Sequence, residues 1–226
     1  MGDRTEGSGG TVRFPFRGPA TDSALEQEWR SAEYCVIDLE TTGLDLRRDE
    51  IISVGAVPVR EGRIDLGDSF YSLVRPRCAV SVASIKVHGL RPGDLDSAPD
   101  PATVGQALSP RLSGRVVVAH AAWIERAFLS RTRSTVGWSQ VRAVVDTAAL
   151  ARATGCWAGH DSGREPPLEL LARRLGLPVC TPHHALGDAL TTATVFLALA
   201  ARAERTRHPS ALSVRDLCAL SNAHAH

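Results

Sequence analysis

The sequence predicts one α/β domain built on a mixed β-sheet. Five runs of apolar and β-branched residues have the length of strands, and stretches with helical periodicity separate most of them. A short connection containing Gly62 joins two of these runs and predicts an antiparallel hairpin, so the sheet combines both strand directions. With 226 residues, of which 43% are hydrophobic and 23% charged, the chain can bury a substantial core.

The predicted strands follow one another along the chain. They are YCVIDLE from Tyr34, EIISVGAVPVR from Glu50, SFYSLVRP from Ser69, RVVVAH from Arg115 and VRAVVDT from Val141. The connection REGR lies between the second and third runs, which are therefore expected to be antiparallel neighbours. The fourth and fifth runs are compact and β-branched, a composition typical of buried strands.

Helices are predicted from capping residues and from a 3.6-residue period. At TDSALEQEW, Ser23 and Glu26 match a capping box and predict a short helix. The segment AAWIERAFLSRT has helical spacing, and Trp123, Phe128 and Trp138 are candidate core residues. Further helices are expected in short pieces between Cys78 and Pro110, in PLELLARRLGLP, from about His184 to Glu204, and in SALSVRDLCALS. The segment TGCWAGHDSGREPP has no periodicity and is expected to be an exposed loop.

The same patterns define the expected domain boundaries. Residues 1–20 are expected to be a disordered N-terminal segment, residues 21–205 the main domain, and residues 206–226 a short C-terminal helical tail. We expect no signal peptide, and the apolar run ALTTATVFLALAA is too short to cross a membrane. Five cysteines without a C-x-x-C pair predict reduced thiols in a cytoplasmic protein. The net charge of +1 does not by itself indicate a nucleic-acid-binding protein.

Acidic residues follow several of the predicted elements. Asp38 and Glu40 close the first strand on the same face, about 6 to 7 Å apart, so a cation, a shared proton or open solvent must relieve their repulsion. Glu125 lies in the first turns of the helix after the fourth strand, and Asp188 lies near the start of the long helix. If His183 belongs to the loop before that helix, it can bend back over the cleft that Asp188 faces.

Four segments, taken together, resemble the DEDDh (DnaQ-like) 3'-5' exonucleases. They are VIDLETTGL at 36–44, VVVAHAAWIERAFL at 116–129, VVDTAALAR at 144–152 and HHALGDA at 183–189. The resemblance covers about residues 32 to 200 and implies a ribonuclease H-like fold with a central five-stranded mixed sheet. It also implies two divalent ions, Mg²⁺ or Mn²⁺, held by carboxylates.

The resemblance assigns roles to individual residues. It implies that Asp38, Glu40 and Asp188 are metal ligands, that Glu125 supplies a fourth carboxylate, and that His183 is the general base. It further implies that Thr41, Thr42 and Leu44 contact the terminal nucleotide. His88, in VHGL, resembles a segment that borders the 3' end.

The second motif departs from the family pattern. The family usually has His-Asn-Ala-x-Phe-Asp, whereas this chain has HAAWIE from His120 to Glu125. The usual aspartate is a glutamate, one methylene longer, and the asparagine is an alanine. A carboxylate remains available, but its altered reach can slow the reaction or adapt it to another substrate geometry.

These features predict a metal-dependent 3'-5' exonuclease that acts on single-stranded or frayed nucleic acid and releases nucleoside monophosphates. Two alternatives remain open: a non-catalytic nucleic-acid-binding or scaffold module of the same fold, and a hydrolase of very short oligonucleotides. A polymerase or another nucleic-acid-processing protein is a conceivable partner. The sequence leaves open DNA or RNA preference and oligomeric state. His120 is expected to pack locally, and Asp146 to cap a helix.

Overall fold

The structure is a computed structural model that describes residues 22–131, 141–158, 165–207 and 211–222. The strands are β1 (Tyr34–Thr41), β2 (Ile51–Arg60), β3 (Arg63–Ile64), β4 (Phe70–Leu73), β5 (Val116–Ala119) and β6 (Ala143–Asp146). The helices are α1 (Asp22–Leu25), α2 (Val82–His88), α3 (Pro92–Leu95), α4 (Pro101–Leu112), α5 (Trp123–Arg131), α6 (Thr147–Ala153), α7 (Leu168–Arg174), α8 (Ala185–Arg207) and α9 (Val214–Asn222). The predicted α/β architecture is confirmed.

The sheet is mixed, as predicted. Its strand order is β3-β2-β1-β5-β6, and β4 pairs with the same β2 strand that pairs with β3. β1 runs antiparallel to β2 and parallel to β5, which in turn is parallel to β6. The REGR connection is a two-residue turn in which Glu61 and Gly62 both have positive φ angles, the conformation of a tight hairpin. This turn leads into the two-residue strand β3, an addition to the five predicted strands, before the chain returns to pair β4 antiparallel to β2.

Side chains of β1 alternate between two cores, one on each face of the sheet. Tyr34 and Val36 belong to the core formed with α6, α8 and α9. Cys35, Ile37 and Leu39 belong to the core on the other face, formed with α4 and α5. Because successive strand residues point to opposite faces, the even-numbered residues that follow Val36 face α8. This alternation places both acidic residues of β1 on the α8 side.

Helix α8 is the central helix of the first core. Its Phe196 and Leu199 side chains are fully buried, and Phe196 packs against the ring of Tyr34 with centroids 4.7 Å apart. The helix extends from Ala185 to Arg207, longer than the apolar run identified in the sequence, and by length and composition alone it could cross a membrane. Its packing against β1 and β2 identifies it as a core helix of this domain.

The C-terminal helix belongs to the same folded unit as the sheet. The boundary predicted at residue 205 falls inside α8, and Leu217 of α9 is fully buried in the core. The two ends of the fold are also bonded to each other: Trp29 N donates to Leu212 O at 2.9 Å, and Val214 N donates to Gln27 O at 3.1 Å.

Several local predictions are wrong, each for a physical reason. Helix α1 begins at Asp22, so Ser23 lies inside the helix and not at its cap. Trp123 is 48% exposed because it lies at the first turn of α5, where its indole N–H reaches Glu165 at 3.4 Å. Cys156 and Trp157, expected in an exposed loop, are buried in the first core because the chain folds back against α6 and α7. The prediction for Trp138 and for residues 1–20 falls outside the described residues.

Candidate active site

Three carboxylates meet at the end of β1. Asp38 and Glu40 of β1 and Asp188 of α8 each offer one oxygen, and these oxygens lie within 4.8 Å of one another. We call these three residues the acidic cluster. Asp38 and Asp188 also line a cleft of about 440 Å³, together with His120, His183, Glu169 and Arg173. The cleft therefore joins residues from β1, β5 and the starts of α7 and α8.

Two glycines let the start of α8 approach β1 closely enough to form the cluster. Gly55 pairs directly with Asp38 in the sheet, and a Cβ atom there would lie 2.3 Å from the backbone of Ala185. A Cβ atom on Gly187 would lie 2.4 Å from the carbonyl oxygen of Thr181. Because either side chain would collide with main-chain atoms, α8 and the loop before it can sit over β1 only with glycine at these positions.

Burial raises the pKa of every carboxyl in the acidic cluster, and the charges of neighbouring carboxylates add to each shift. Burial is the main cause for Asp38, followed by the charges of Glu125, Asp188 and Glu40. Burial and the charge of Asp188 raise the pKa of Glu40 to about 7. Burial also raises the pKa of Asp188, although the amide of His183 opposes the shift by bonding to its charged form. Without a cation, these groups resist being ionised together.

Glu125 lies beside the acidic cluster but outside the set of mutually close oxygens. It is 3% exposed, and its Oε2 has no hydrogen-bond partner among the described residues. Burial, with the charges of Asp146 and Glu165, raises its pKa to about 8, although its own backbone amide opposes the shift. The charge of Glu125 contributes to the raised pKa of Asp38. Because two interacting acids titrate as a pair, the repulsion between Glu125 and Asp38 affects the protonation of both residues.

The donor set fits hard divalent cations. All four acidic side chains present carboxylate oxygens, the ligands that Mg²⁺ and Mn²⁺ prefer. The Oε2 of Glu125 has no hydrogen-bond partner among the described residues, and burial with neighbouring carboxylates raises the pKa values of Asp38 and Glu125. A bound cation would coordinate this oxygen and would stabilise the ionised carboxylates.

The loop before α8 brings His183 to the cleft. As predicted, His183 precedes the helix, and its backbone N–H donates to Asp188 Oδ2 at 2.9 Å. The loop needs two non-glycine residues with positive φ angles, 30° at Thr181 and 58° at His183, to make this turn. The neighbouring His184 points elsewhere and stacks on Tyr71, with ring centroids 4.4 Å apart.

The predicted substrate-contacting residues have different environments. Leu44 is 64% exposed on the loop after β1, where an apolar side chain is free to meet a base. Thr41 is almost buried, and its hydroxyl donates to Gly43 O at 2.7 Å. His88 accepts a hydrogen bond from Leu90 N on Nδ1, so the ring proton is on Nε2. This Nε2 is buried near the Thr41 carbonyl and has no partner at full hydrogen-bonding geometry among the described residues.

Thr42 is bonded within the protein. Its side chain is fully buried, and its hydroxyl donates to Asp49 Oδ1 at 2.8 Å and accepts from Glu50 N at 3.0 Å. Its carbonyl oxygen accepts from Ser81 N and Ser84 Oγ. Thr42 therefore stabilises the loop that carries Leu44, and its contact with a nucleotide stays a prediction.

Asp146 has a supporting function beyond the predicted helix cap. The cap of α6 is confirmed, because Asp146 Oδ1 accepts from Ala148 N at 2.8 Å. The same carboxylate also accepts from Ala121 N at 3.2 Å and Ala122 N at 3.1 Å, at the turn that leads into α5. Ala121 has a φ angle of 56°, a conformation that asparagine, the usual family residue here, adopts more readily. Asp146 thus holds the turn that positions Glu125.

His120 packs locally, as predicted, and it connects three elements. Burial lowers its pKa, so the ring is neutral. Its Nε2 lies 2.6 Å from the carbonyl oxygen of Pro166, which can only accept, and its Nδ1 lies 2.9 Å from the Thr147 hydroxyl. His120 therefore links the end of β5 to α6 and to the segment that precedes α7.

Sequence reasoning did not single out Glu169 or Tyr71 as residues of the cleft. Glu169 lies 3.5 Å from the imidazole of His183. Burial is the main cause of a raised pKa of Tyr71, and the charge of Glu40 adds to that shift. The buried Ser53 hydroxyl lowers that pKa but makes no hydrogen bond at full geometry, so their contact is long or bent. Only the position of Glu169, one residue after a helix start that follows a proline pair, marked it in the sequence.

The fold and the cleft together define a ribonuclease H-like domain with a carboxylate metal centre. Comparison with known families agrees, because the family model described as Exonuclease (RNase T) matches residues 35–196. The chain belongs to this exonuclease family, and the resemblance drawn from its motifs is confirmed at the level of the family.

Curated relatives carry names from DNA replication. A DNA polymerase III subunit epsilon-like protein of Rhodobacter capsulatus is 36% identical over 191 residues, which are 82% of this chain and 26% of that protein. A PolC-type DNA polymerase III of Thermotoga petrophila is 32% identical over 175 residues, 77% of this chain and 12% of the relative. The chain thus spans between about an eighth and a quarter of the length of these relatives.

Solved structures confirm the ribonuclease H-like fold. Exonuclease X in complex with 5' overhanging duplex DNA has a TM-score of 0.59 at 23% identity, and covers 82% of this chain and 99% of its own. E. coli Exonuclease I in complex with a dT13 oligonucleotide has a TM-score of 0.66 at 14% identity, covering 77% of this chain and 42% of its own. A zinc-bound form of the complex of Exonuclease I with single-stranded DNA has a TM-score of 0.65 at 14% identity.

Proposed function

We propose that this chain is a metal-dependent 3'-5' exonuclease that hydrolyses phosphodiester bonds at the 3' end of single-stranded or frayed nucleic acid and releases nucleoside monophosphates. The observation that carries the proposal is the meeting of Asp38, Glu40 and Asp188 within 4.8 Å, with His183 bonded over Asp188. Membership of the exonuclease family supports the same reaction.

The four carboxylates are suited to hold two Mg²⁺ or Mn²⁺ ions. When bound, such ions lower the pKa of a water molecule and stabilise the leaving oxygen of the phosphodiester. The charges of Glu125, Asp188 and Glu40 all act on Asp38, so Asp38 would hold an ion together with these acidic neighbours.

The remaining groups of the cleft handle the proton and the substrate. The imidazole of His183 would accept a proton from the attacking water as its oxygen bonds to phosphorus and the bond to the 3' oxygen breaks. Leu44, exposed on the loop after β1, would pack on the terminal base, which is accessible only when the strand is unpaired.

Cleavage of 5'-labelled oligonucleotides tests the proposal. DNA and RNA, each single-stranded and duplex, are incubated with and without Mn²⁺, and we expect a ladder that shortens from the 3' end. Asp38→Asn should abolish it. Glu61→Gln is the matched control, because Glu61 is exposed in the hairpin turn at the opposite end of β1. A protein that neither shortens the strand nor gains thermal stability from Mn²⁺ would be a scaffold, and the proposal would be wrong.

Substrate length separates the exonuclease from a hydrolase of very short oligonucleotides. The His183 side chain that lines the cleft is 53% exposed, so the cleft is open to solvent and strands longer than two nucleotides can leave it. We expect a 20-nucleotide strand to be cleaved at least as efficiently as a dinucleotide, measured as kcat/KM. A strong preference for the dinucleotide would favour the alternative hydrolase.

The names of the relatives support an association with a replicative DNA polymerase as a further part of the proposal. Size-exclusion chromatography of the purified chain mixed with the replicative polymerase of the same organism tests it. A shared elution peak is expected, and independent elution at micromolar concentration would contradict the association.

A further inference from the structure

Glu169 contacts the imidazole of His183 from a separate helix. It lies in the first turn of α7, and its Oε1 is 3.5 Å from His183 Nε2. Its Oε2 lies 3.3 Å from the guanidinium of Arg173, one helical turn further along. Glu169 therefore divides its two oxygens between the imidazole and an arginine.

His183 needs a partner to fix its ring. It lies on a loop and has a φ angle of 58°, and its side chain is 53% exposed. The backbone N–H is held by Asp188, but this bond does not restrain rotation of the side chain. In the described part of the chain, the ion-pair contact of the imidazole is with Glu169.

Glu169 is itself held firmly by its helix. Leu171 and Ala172, two and three residues further along α7, are fully buried in the core. The segment before the helix is anchored where Pro166 accepts the 2.6 Å hydrogen bond of His120. Because these anchors fix the first turn of α7 to the end of β5, the carboxylate has a defined place over the cleft.

We propose that Glu169 is the positioning residue of His183 in the reaction proposed above, on which this inference rests. A carboxylate can only accept, so it favours the tautomer in which Nε2 carries the proton and leaves Nδ1 free to accept one. Glu169 thus orients the ring and selects Nδ1, the nitrogen that it does not contact, as the atom that acts as base.

Kinetics of four variants test this assignment. Glu169→Ala should lower kcat by about 10- to 100-fold, the usual effect of losing such a supporting carboxylate, with KM changed less than about twofold. Glu169→Asp should recover part of the rate. Glu204→Ala is the control, because it removes a helix carboxylate that pairs with Arg30 and does not line the cleft, and kcat should change less than about threefold. In a His183→Ala background, Glu169→Ala should add no further loss.

A spectroscopic readout works whether or not the chain proves to be a nuclease. Imidazole ¹⁵N spectra of the metal-free protein, with the signal assigned by its loss in His183→Ala, should show the proton on Nε2 of the neutral ring. Glu169→Ala should give a mixture of tautomers, while the thermal midpoint and its increase with Mn²⁺ stay unchanged. An unaltered His183 tautomer, or an equal rate loss with and without His183, overturns the inference. Absence of cleavage by the wild type with the expected tautomer shift would instead contradict the proposed function alone.

Discussion

The backbone N–H of His183 donates a 2.9 Å hydrogen bond to Oδ2 of Asp188, five residues further along the chain. This bond closes the loop over the first turn of α8 and occupies one carboxylate oxygen of Asp188. Asp188 also belongs to the acidic cluster. The arrangement resembles a capping box, in which a side chain inside the helix accepts from an amide just outside it.

The bond predicts that Asp188→Asn and Asp188→Ala will differ. An asparagine side chain can still accept from the His183 amide, so the loop should stay in place while a charge is lost from the metal centre. We expect Asp188→Asn to abolish the increase in thermal midpoint with Mn²⁺ without lowering the metal-free midpoint. Asp188→Ala should lower the metal-free midpoint as well as the increase with Mn²⁺. Differential scanning calorimetry with and without Mn²⁺ measures this. Equal metal-free midpoints for the two variants would show that the bond contributes nothing.

The raised pKa values of the acidic residues predict a stability that falls with pH in the absence of metal. Burial and repulsion raise the pKa of Glu40 to about 7 and of Glu125 to about 8, from ordinary values of 4.5. The folded protein therefore binds more protons than the unfolded chain between about pH 4.5 and 8, so unfolding becomes easier as pH rises through this window. Thermal midpoints in EDTA from pH 5 to 9 measure the effect.

Added Mg²⁺ should reverse this trend. A cation competes with protons for the same oxygens, so the gain in thermal midpoint on adding Mg²⁺ should grow between pH 6 and 8. Asp38→Asn, which removes a charge from the acidic cluster, should flatten the pH dependence seen in EDTA. A metal-free midpoint that rises between pH 6 and 8 would contradict the assignment of these pKa shifts.

Gly55→Ala is predicted to displace α8 from β1. The added Cβ would lie 2.3 Å from the main chain of Ala185, and backbone atoms cannot rotate away as a flexible side chain can. We expect a loss of about 1–3 kcal/mol in the free energy of unfolding, with weaker Mn²⁺ binding because Asp188 moves with the helix. The control is Gly93→Ala in α3, where no atom lies within 4 Å of the added Cβ. Comparable losses in both variants would refute the proposed role of the close approach.

Asp146→Ala should slow catalysis as well as destabilise the fold. It removes a helix cap, worth about 0.5–2 kcal/mol, and releases the turn at Ala121 and Ala122 that positions Glu125. We expect kcat to fall at least about tenfold, as for other residues that support a metal centre. Asp100→Ala removes a similar cap from α4, where Asp100 accepts from Ala102 N and Thr103 N, and should cost stability without slowing cleavage. Chemical denaturation and initial rates separate the two effects.

Glu125→Asp should retain or improve cleavage. The shorter side chain restores the aspartate that the motif resemblance implies at this position, and Oε2 of Glu125 has no hydrogen bond among the described residues to lose. The measurement is kcat with Mn²⁺ on a single-stranded oligonucleotide, with Glu125→Gln as the variant that keeps length and loses charge. A wholly inactive Asp variant would show that the extra methylene is a required adaptation of this chain.

The fold was predictable because its signals are local. Strand alternation, a two-residue hairpin turn and helical spacing each depend on neighbouring residues, and β1 carries Asp38 and Glu40 to one face through alternation alone. Where the structure differs, the cause is a distant contact. Trp157 is buried because the guanidinium of Arg174, from another helix, and the core beneath it cover its ring, and no local pattern encodes that partner.

Site residues that lie within one sequence motif could be predicted from the sequence. Site residues that meet only through tertiary packing could not. His183 and Asp188 are separated by only five residues, so their convergence follows from a loop at the start of a helix. Glu169 meets His183 only because α7 packs across the start of α8. Thr42 stands inside the first motif, yet its hydroxyl is used by Asp49 and Glu50, and only the structure shows these bonds.

The hydrogen bonds that join Gln27 and Trp29 to Val214 and Leu212 have an architectural consequence. Because these bonds hold the segment that precedes β1 beside the segment that precedes α9, heating should release the two segments together and not one after the other.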